Sequence, residues 1–402
     1  MVLEDVRVVS GMRPTGPLHL GHYHGALKNW LKLQHEYQCY FFVADVHALT
    51  THYEDSAQIE QNSWNMMIEW LAVGINPSNA CLFIQSMVPE HAELSTLLSM
   101  ITPLSWLERV PTYKDQQEKL KERDLSTFGF LGYPLMQAAD VLLYKASKIP
   151  VGEDQVPHIE FAREVARRFN YLYGRDEDYE KKAENAIEKL GKKGATLYRS
   201  LLKRYQEQGD KEALLTGHAF VSEQGNLSMS DRERLEGYLE GIGKVILPEP
   251  EALLTPTSKL PGLDGHKMSK SYNNSIYLRD SEAVVEEKIL KMQTDPNRKR
   301  RSDVGDPDKC PVWGLHDVYS SAESKAWVQQ GCRSAGIGCV DCKRNLIESV
   351  NAELDPIRDR IAELTENSSM VRGIVMQGCE RAREMARDTM NEVKIAMRLP
   401  VL

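Results

Sequence analysis

Val6-Arg-Val-Val-Ser10, followed by Gly11-Met-Arg-Pro-Thr-Gly16-Pro-Leu-His19-Leu-Gly21-His22, sets the frame for the whole chain. The first five residues read as a strand, and Gly11 then opens a polar loop that ends near Gly21. Tyr23, Leu27, Trp30 and Leu31 fall at i, i+4, i+7 and i+8, the spacing of an amphipathic helix. Tyr40-Phe-Phe-Val-Ala44 is a short unbroken apolar run ended by Asp45, as expected of a strand buried on both faces of a parallel sheet. A second helix is expected between Ser56 and Val73, and Ala80-Cys-Leu-Phe-Ile84 reads as a third buried strand. This alternation implies an α/β chain with a Rossmann-like, doubly wound parallel sheet, whose ligands sit at the carboxyl ends of the strands. The loop after Gly11 is then at the active edge.

Farther along, Lys148-Ile-Pro-Val151 reads as another strand, followed by Gly152-Glu-Asp154-Gln155 and a helix from about Pro157. Residues 175–243 are charged and helix-forming, without a strong strand signal, and read as a helical insertion. Beyond Ser275 no comparable buried-strand run occurs; an Asp355-Pro356 start signal and a long final helix around Val371 to Met397 mark a second, all-helical domain. The expected organisation is therefore an α/β domain over 1–174 and 244–275, the insertion at 175–243, and the helical domain at 276–402.

A length of 402 residues suits two or three domains, and 42% hydrophobic with 27% charged residues argues against a mostly disordered chain. The net charge of -8 excludes a uniformly basic nucleic-acid coat but not a local positive surface. The most apolar stretch, Tyr40 to Leu49, is too short to span a bilayer, and Met1-Val-Leu-Glu-Asp opens without a secretion signal, so a cytoplasmic location and no membrane partner are expected. Of seven cysteines, Cys310, Cys332, Cys339 and Cys342 gather near the end. In a reducing compartment that grouping suggests metal ligands rather than disulfides.

Two loops carry the most specific chemistry. In the first, glycines admit close backbone approach, a helix start offers amides to phosphate, and His19 and His22 are placed to donate hydrogen bonds to phosphoryl oxygens. In the second, Gly265-His-Lys267-Met268-Ser269-Lys270-Ser271, two ammonium groups suit the charge of a leaving pyrophosphate. Together, His19-Leu20-Gly21-His22 and Lys267 to Ser271 resemble the His-Ile-Gly-His and Lys-Met-Ser-Lys-Ser signatures of the class I aminoacyl-tRNA synthetases.

Three further segments resemble the tryptophanyl members. Tyr133-Pro-Leu-Met-Gln137-Ala-Ala-Asp140 sets Tyr133, Gln137 and Asp140 on one helical face. Gly152-Glu-Asp154-Gln155-Val-Pro-His158-Ile-Glu160 and Asp45-Val-His47-Ala-Leu-Thr50 are the others. Gln137 departs from many tryptophanyl members, which carry Met there, and is shared with the tyrosyl members. Val9 and Arg13 stand where tyrosyl members place Tyr and Asp.

The resemblance implies a tryptophan–tRNA ligase acting on ATP with Mg²⁺, L-tryptophan and tRNA(Trp), built as a homodimer. It implies catalytic roles for His19, His22, Lys267, Lys270 and Arg13. Gly11, Met12, Arg13, Thr15, Gly21, Gly152, Asp154, Met268 and Ser269 would join them around ATP. Asp140 would accept the indole N–H, Tyr133 and Gln155 would meet the α-ammonium, and Val9, His47 and Gln137 would complete the tryptophan pocket. Residues 276–402 become the anticodon-binding domain, where the basic run Arg298-Lys-Arg-Arg301 is a candidate phosphate contact.

The cysteine spacing, Cys310-x21-Cys332-x6-Cys339-x2-Cys342, suits either Zn²⁺ or a 4Fe-4S cluster. A subset of tryptophanyl enzymes carries a 4Fe-4S site with a first gap one residue longer, so the resemblance implies iron and sulfur, with Zn²⁺ as the alternative. Cys39, Cys81 and Cys379 read as core residues. Two rival readings are a small-molecule nucleotidyltransferase, which does not predict Lys267 to Ser271 or the helical tail, and a tRNA-binding paralogue without catalysis, against which the intact histidines and lysines speak.

Overall fold

The computed structural model describes residues 3–110, 126–175, 178–241, 243–254 and 260–401, apart from the side chains of residues 3–5 and 271. Met1, Val2 and the hydroxyl of Ser271 therefore lie outside the described residues. Five strands, β1 (Leu3–Met12), β2 (Tyr37–Val43), β3 (Ala80–Ile84), β4 (Lys148–Val151) and β5 (Glu251–Leu254), form one sheet in the order β3-β2-β1-β4-β5. β2 and β3 run parallel, from Cys39 opposite Ala80 to Val43 opposite Ile84, and β1 runs parallel to β4 with Val8 opposite Lys148. Strand order reverses at β1. This is the doubly wound arrangement expected, with the loop after β1 issuing from the topological switch point.

By its contacts the chain divides into two compact units, one of residues 1–5, 11–85 and 254–380, the other of residues 6–10, 86–253 and 381–402. In the first, β2 and the Ile59–Val73 helix build an aromatic core: Trp30 stacks on Phe41 with ring centroids 4.2 Å apart and meets Trp70 edge-on at 5.0 Å. The chain between the loop and β2 is helical, but a π-helical turn at Tyr23–Leu27 interrupts it. Tyr23, Leu27 and Trp30 are buried as the spacing predicts. Leu33 takes the place expected of Leu31, because a turn with an extra residue rotates the helical face that follows it. In the Ser368–Ala396 helix, a side chain at Gly378 would collide with the backbone carbonyl of Leu82, so glycine there lets the helix lie directly on β3. Cys81 donates to the Gly378 carbonyl at 3.1 Å, and Cys39, Cys81 and Cys379 are core residues.

In the second unit the Phe128–Leu142 helix packs between the Glu90–Ser99 and Val156–Tyr173 helices. Four described helices of the same unit, Tyr179–Lys189, Gly191–Gln208, Lys211–Ser222 and Met229–Glu240, pack around a core of Ile187, Tyr198, Leu201, Val221, Leu235 and Leu239. Glu90, nearly buried, is held by Arg383 at 3.2 Å and Arg387 at 3.5 Å. Among the described residues no helix is long and apolar enough to cross a membrane.

Candidate active site

β1 hands the chain to the first loop at Gly11, where an added Cβ would stand 2.4 Å from the Phe42 ring; the missing side chain makes room for that ring. Gly21 has a related role, since a Cβ there would meet the His19 imidazole at 2.9 Å. The His19 and His22 rings lie with centroids 3.7 Å apart. The His19 backbone N–H donates to Nδ1 of His22 at 3.2 Å, so the neutral ring keeps its proton on Nε2, free to donate outward. Burial, and then the neighbouring Lys270, lower His19 to about 4. Burial, followed by His19, Lys270 and Lys267, holds His22 well below its ordinary value. Both imidazoles are thus neutral donors near pH 7. Nδ1 of His19 is buried without a hydrogen-bond partner among the described residues.

The second loop belongs to the same unit. Lys270 Nζ donates to the Gly16 carbonyl at 2.7 Å, and burial lowers its ammonium to about 8 against the opposing charge of Glu69. Lys267 is exposed, Ser269 half-buried and Met268 buried. Asn274 braces the loop from within: its Oδ1 accepts from the Ser269 N–H at 2.8 Å, and its Nδ2 donates to Asp264 at 2.7 Å and to the Lys267 carbonyl at 3.3 Å. The two signature segments are also joined by backbone. Leu20 N–H donates to Ile276 O and Leu278 N–H to Leu18 O, both at 2.9 Å.

Glu69 is a residue the sequence reading did not single out. Fully buried, it accepts from the Leu18 N–H at 3.1 Å and from Arg279 Nε at 2.5 Å, tying the approach to His19 to the segment beyond Lys270. Its place inside the run Met66-Met67-Ile68-Glu69-Trp70-Leu71 was the available signal, because a lone carboxylate among apolar residues needs a buried partner. Removing one member of such a pair strands the other. Glu69→Ala is expected to lower unfolding free energy by about 3–5 kcal/mol in urea titrations; a loss below about 1 kcal/mol would show that the pair does not hold the loops.

In the second unit, Tyr133 and Gln155 come together through His158, a motif residue whose role its spacing does not reveal. Tyr133 OH lies 3.3 Å from His158 Nε2, and His158 Nδ1 lies 2.8 Å from Gln155 Oε1. Gln155 Nε2 in turn donates to the exposed Asp154 carboxylate at 3.0 Å. Asp140 is buried at 2.6 Å from His91 Nδ1, while Gln137 is half-buried on the same helix. Val9 is core and Gly152 half-buried. His47, in the first unit, is buried with its N–H directed to Gln85 Oε1 at 3.4 Å. Arg13 and Thr15 are exposed and Met12 is half-buried.

The four late cysteines form one neighbourhood. Burial, then Cys310, Cys332 and Cys339, push the Cys342 thiol up to about 12, and burial also raises Cys310 and Cys332. Two groups face the sulfurs: Arg298 donates to Cys332 Sγ at 3.8 Å, and His316 Nε2 lies 3.2 Å from Cys342 Sγ. Arg298 therefore turns inward, also donating to the Arg301 and Ile337 carbonyls, and is not the surface phosphate contact expected of it; Lys299, Arg300 and Arg301 remain exposed. The reason is a cationic fork meeting polarisable sulfurs and buried carbonyls. Among the described residues no three His, Cys, Asp or Glu side chains stand in a metal-ligating arrangement.

The profile of the family described as "tRNA synthetases class I (W and Y)" matches residues 3–205 and 231–355. The chain belongs to this family. Similar proteins include a tryptophan–tRNA ligase of Ralstonia nicotianae, 61% identical with 98% of each chain covered. Another, of Thermotoga maritima, is 44% identical over 98% of this chain and 99% of its own. A solved tryptophanyl-tRNA synthetase from Campylobacter jejuni, complexed with ADP and tryptophan, superimposes with a TM-score of 0.74 at 28% identity, covering 98% of this chain and all of that one. In this class I synthetase the two signature loops are His19 to His22 and Lys267 to Ser271, and Lys270 bonds one to the other.

Proposed function

We propose that the chain is a tryptophan–tRNA ligase, which activates L-tryptophan with ATP to tryptophanyl adenylate and passes the acyl group to the 3′ end of tRNA(Trp) in protein biosynthesis. The observation that carries this reading is the meeting of two neutral imidazoles and a half-buried ammonium across the joined signature loops, in a chain whose full-length relatives bear that activity in their names.

The substrate is taken as MgATP. The tryptophan carboxylate attacks the α-phosphorus in line, the bond to the β-phosphate oxygen breaks, and pyrophosphate leaves. No covalent nucleophile is needed, so the protein supplies position and charge. His22 Nε2–H and His19 donate to phosphoryl oxygens, a reading supported by the buried Nδ1 of His19, which has no hydrogen-bond partner among the described residues. Lys267 and Lys270 take the charge of the departing pyrophosphate. Arg13 holds a phosphate or carboxylate with its planar fork. Gly11, Met12, Thr15, Gly21, Gly152, Asp154, Met268 and Ser269 surround the nucleotide. Asp140 accepts the indole N–H, Tyr133 and Gln155 meet the α-ammonium, and Val9, His47 and Gln137 wall the pocket. A ribose hydroxyl of the tRNA end then attacks the acyl carbon and AMP leaves.

Residues 1–174 with 244–275 are read as the catalytic domain, 175–243 as its insertion and 276–402 as the anticodon-binding domain of a cytoplasmic homodimer. Cys310, Cys332, Cys339 and Cys342 would hold a 4Fe-4S cluster, with Zn²⁺ as the alternative; four soft donors with Arg298 alongside suit an anionic iron-sulfur core. Such a cluster would pin this loop region of the chain. Protein purified without oxygen is expected to be brown, with iron and sulfide in equal amounts; zinc without iron would replace the cluster assignment with the alternative. Charging of tRNA(Trp) transcript with labelled tryptophan tests the whole reading, and charging of tRNA(Tyr) with tyrosine instead would overturn it.

A further inference from the structure

His91 and Asp140 are both almost wholly buried, at 3% and 2% exposure, with His91 Nδ1 only 2.6 Å from Asp140 Oδ1. The other ring nitrogen, Nε2, lies 2.8 Å from the hydroxyl of Tyr144, itself fully buried. Tyr144 follows Asp140 by four residues, whereas His91 comes from the Glu90–Ser99 helix, whose first residue is clamped by Arg383 and Arg387. We infer that His91, backed by Tyr144, is a positioning and specificity-determining residue that holds Asp140 as an acceptor for the indole N–H of tryptophan. The inference rests on the assignment of Asp140 to the indole made above.

An ionised carboxylate only accepts hydrogen bonds, so Nδ1 of His91 must carry its proton whether the ring is neutral or charged. In the neutral ring Nε2 then accepts from Tyr144, and the chain has one direction: Tyr144 O–H to His91, His91 N–H to Asp140. A ring held at both nitrogens cannot turn, and it fixes the rotation of the carboxylate it touches. Its second effect is chemical. A buried carboxylate without a donor tends to take up a proton, and a protonated Asp140 would in one orientation set an O–H against the indole N–H, donor against donor. His91 thus protects the contrast between tryptophan and an aromatic amino acid without a ring N–H.

The test measures amino-acid-dependent ATP–pyrophosphate exchange by the full chain, with tryptophan and phenylalanine, in His91→Ala, His91→Asn, Tyr144→Phe and Asp140→Ala. His91→Ala is expected to reduce discrimination by about tenfold to a hundredfold with the KM for ATP unchanged. His91→Asn, whose amide can donate from near the position of Nδ1, should recover most of that loss. Tyr144→Phe removes a single hydroxyl and should lower discrimination severalfold without a change in Tm, which keeps the question answerable if His91→Ala does not fold. A downfield imidazole proton resonance should be present in the unaltered chain, shift on saturation with tryptophan, and be absent from His91→Ala. Loss of discrimination in Asp140→Ala with wild-type discrimination in the folded His91 and Tyr144 variants would overturn the inference alone. Wild-type discrimination in Asp140→Ala would overturn the assignment on which it rests.

Discussion

Lys270→Ala is expected to slow tryptophan-dependent ATP–pyrophosphate exchange by about two to three orders of magnitude, with little change in the affinity for tryptophan. The side chain is held against the Gly16 carbonyl in a half-buried setting, where a charge aimed at the leaving group is less screened than in water and needs no reorganisation. The tryptophan pocket proposed around Asp140 does not include Lys270, so the dissociation constant for tryptophan should move less than about threefold. The pH dependence follows from the same burial. With its ammonium lowered to about 8, Lys270 is charged at pH 7 and loses its proton as the pH rises through 8. The kcat/KM for ATP should therefore fall on the alkaline side of pH 8, and Lys270→Arg, which stays charged, should move that limb upward. An undiminished exchange rate in Lys270→Ala would contradict the role.

Asp140→Ala is expected to cost selectivity as well as rate. A site built to hydrogen-bond a substrate N–H rejects an analogue that lacks it far more strongly than an apolar pocket rejects a missing methylene. Discrimination against phenylalanine, measured as the ratio of kcat/KM values in exchange, should drop by roughly 10²-fold or more. The variant also leaves the buried Nδ1 of His91 without its acceptor, a stability loss of about 1–3 kcal/mol that thermal unfolding should register. Unchanged discrimination between tryptophan and other aromatic amino acids would remove Asp140 from the pocket.

Two strands of the sheet were readable from composition alone. Ala80–Ile84, buried throughout although it lies at the sheet's edge, is an unbroken apolar run, Lys148–Val151 carries two β-branched residues, and both strands fall at those residues. β5 was not readable: Glu251-Ala-Leu-Leu254 is half-exposed, composed of helix-favouring residues, and is a strand by its pairing beside β4, where Glu251 N–H also meets the Ser147 carbonyl. The helix Asp45–His52 was hidden as well, since its His and Thr residues stood out as a motif rather than as an apolar face. Within the site, the residues with distinctive chemistry at fixed spacing, His19, His22 and Lys270, announced themselves. Their supports did not. Glu69 reaches Arg279 across 210 residues, and His91 reaches Asp140 across 49; no local spacing encodes such pairs. Arg298 shows the reverse case, a surface-like basic run from which the fold draws one member inward to the cysteines.

Activation of tryptophan at the joined signature loops, as proposed, is checked by ATP–pyrophosphate exchange of the purified full chain with tryptophan, tyrosine and phenylalanine offered separately. Exchange that requires tryptophan and is lost in Lys270→Ala is the predicted result; exchange driven equally by tyrosine, or none with tryptophan under conditions where the protein is folded, would contradict it.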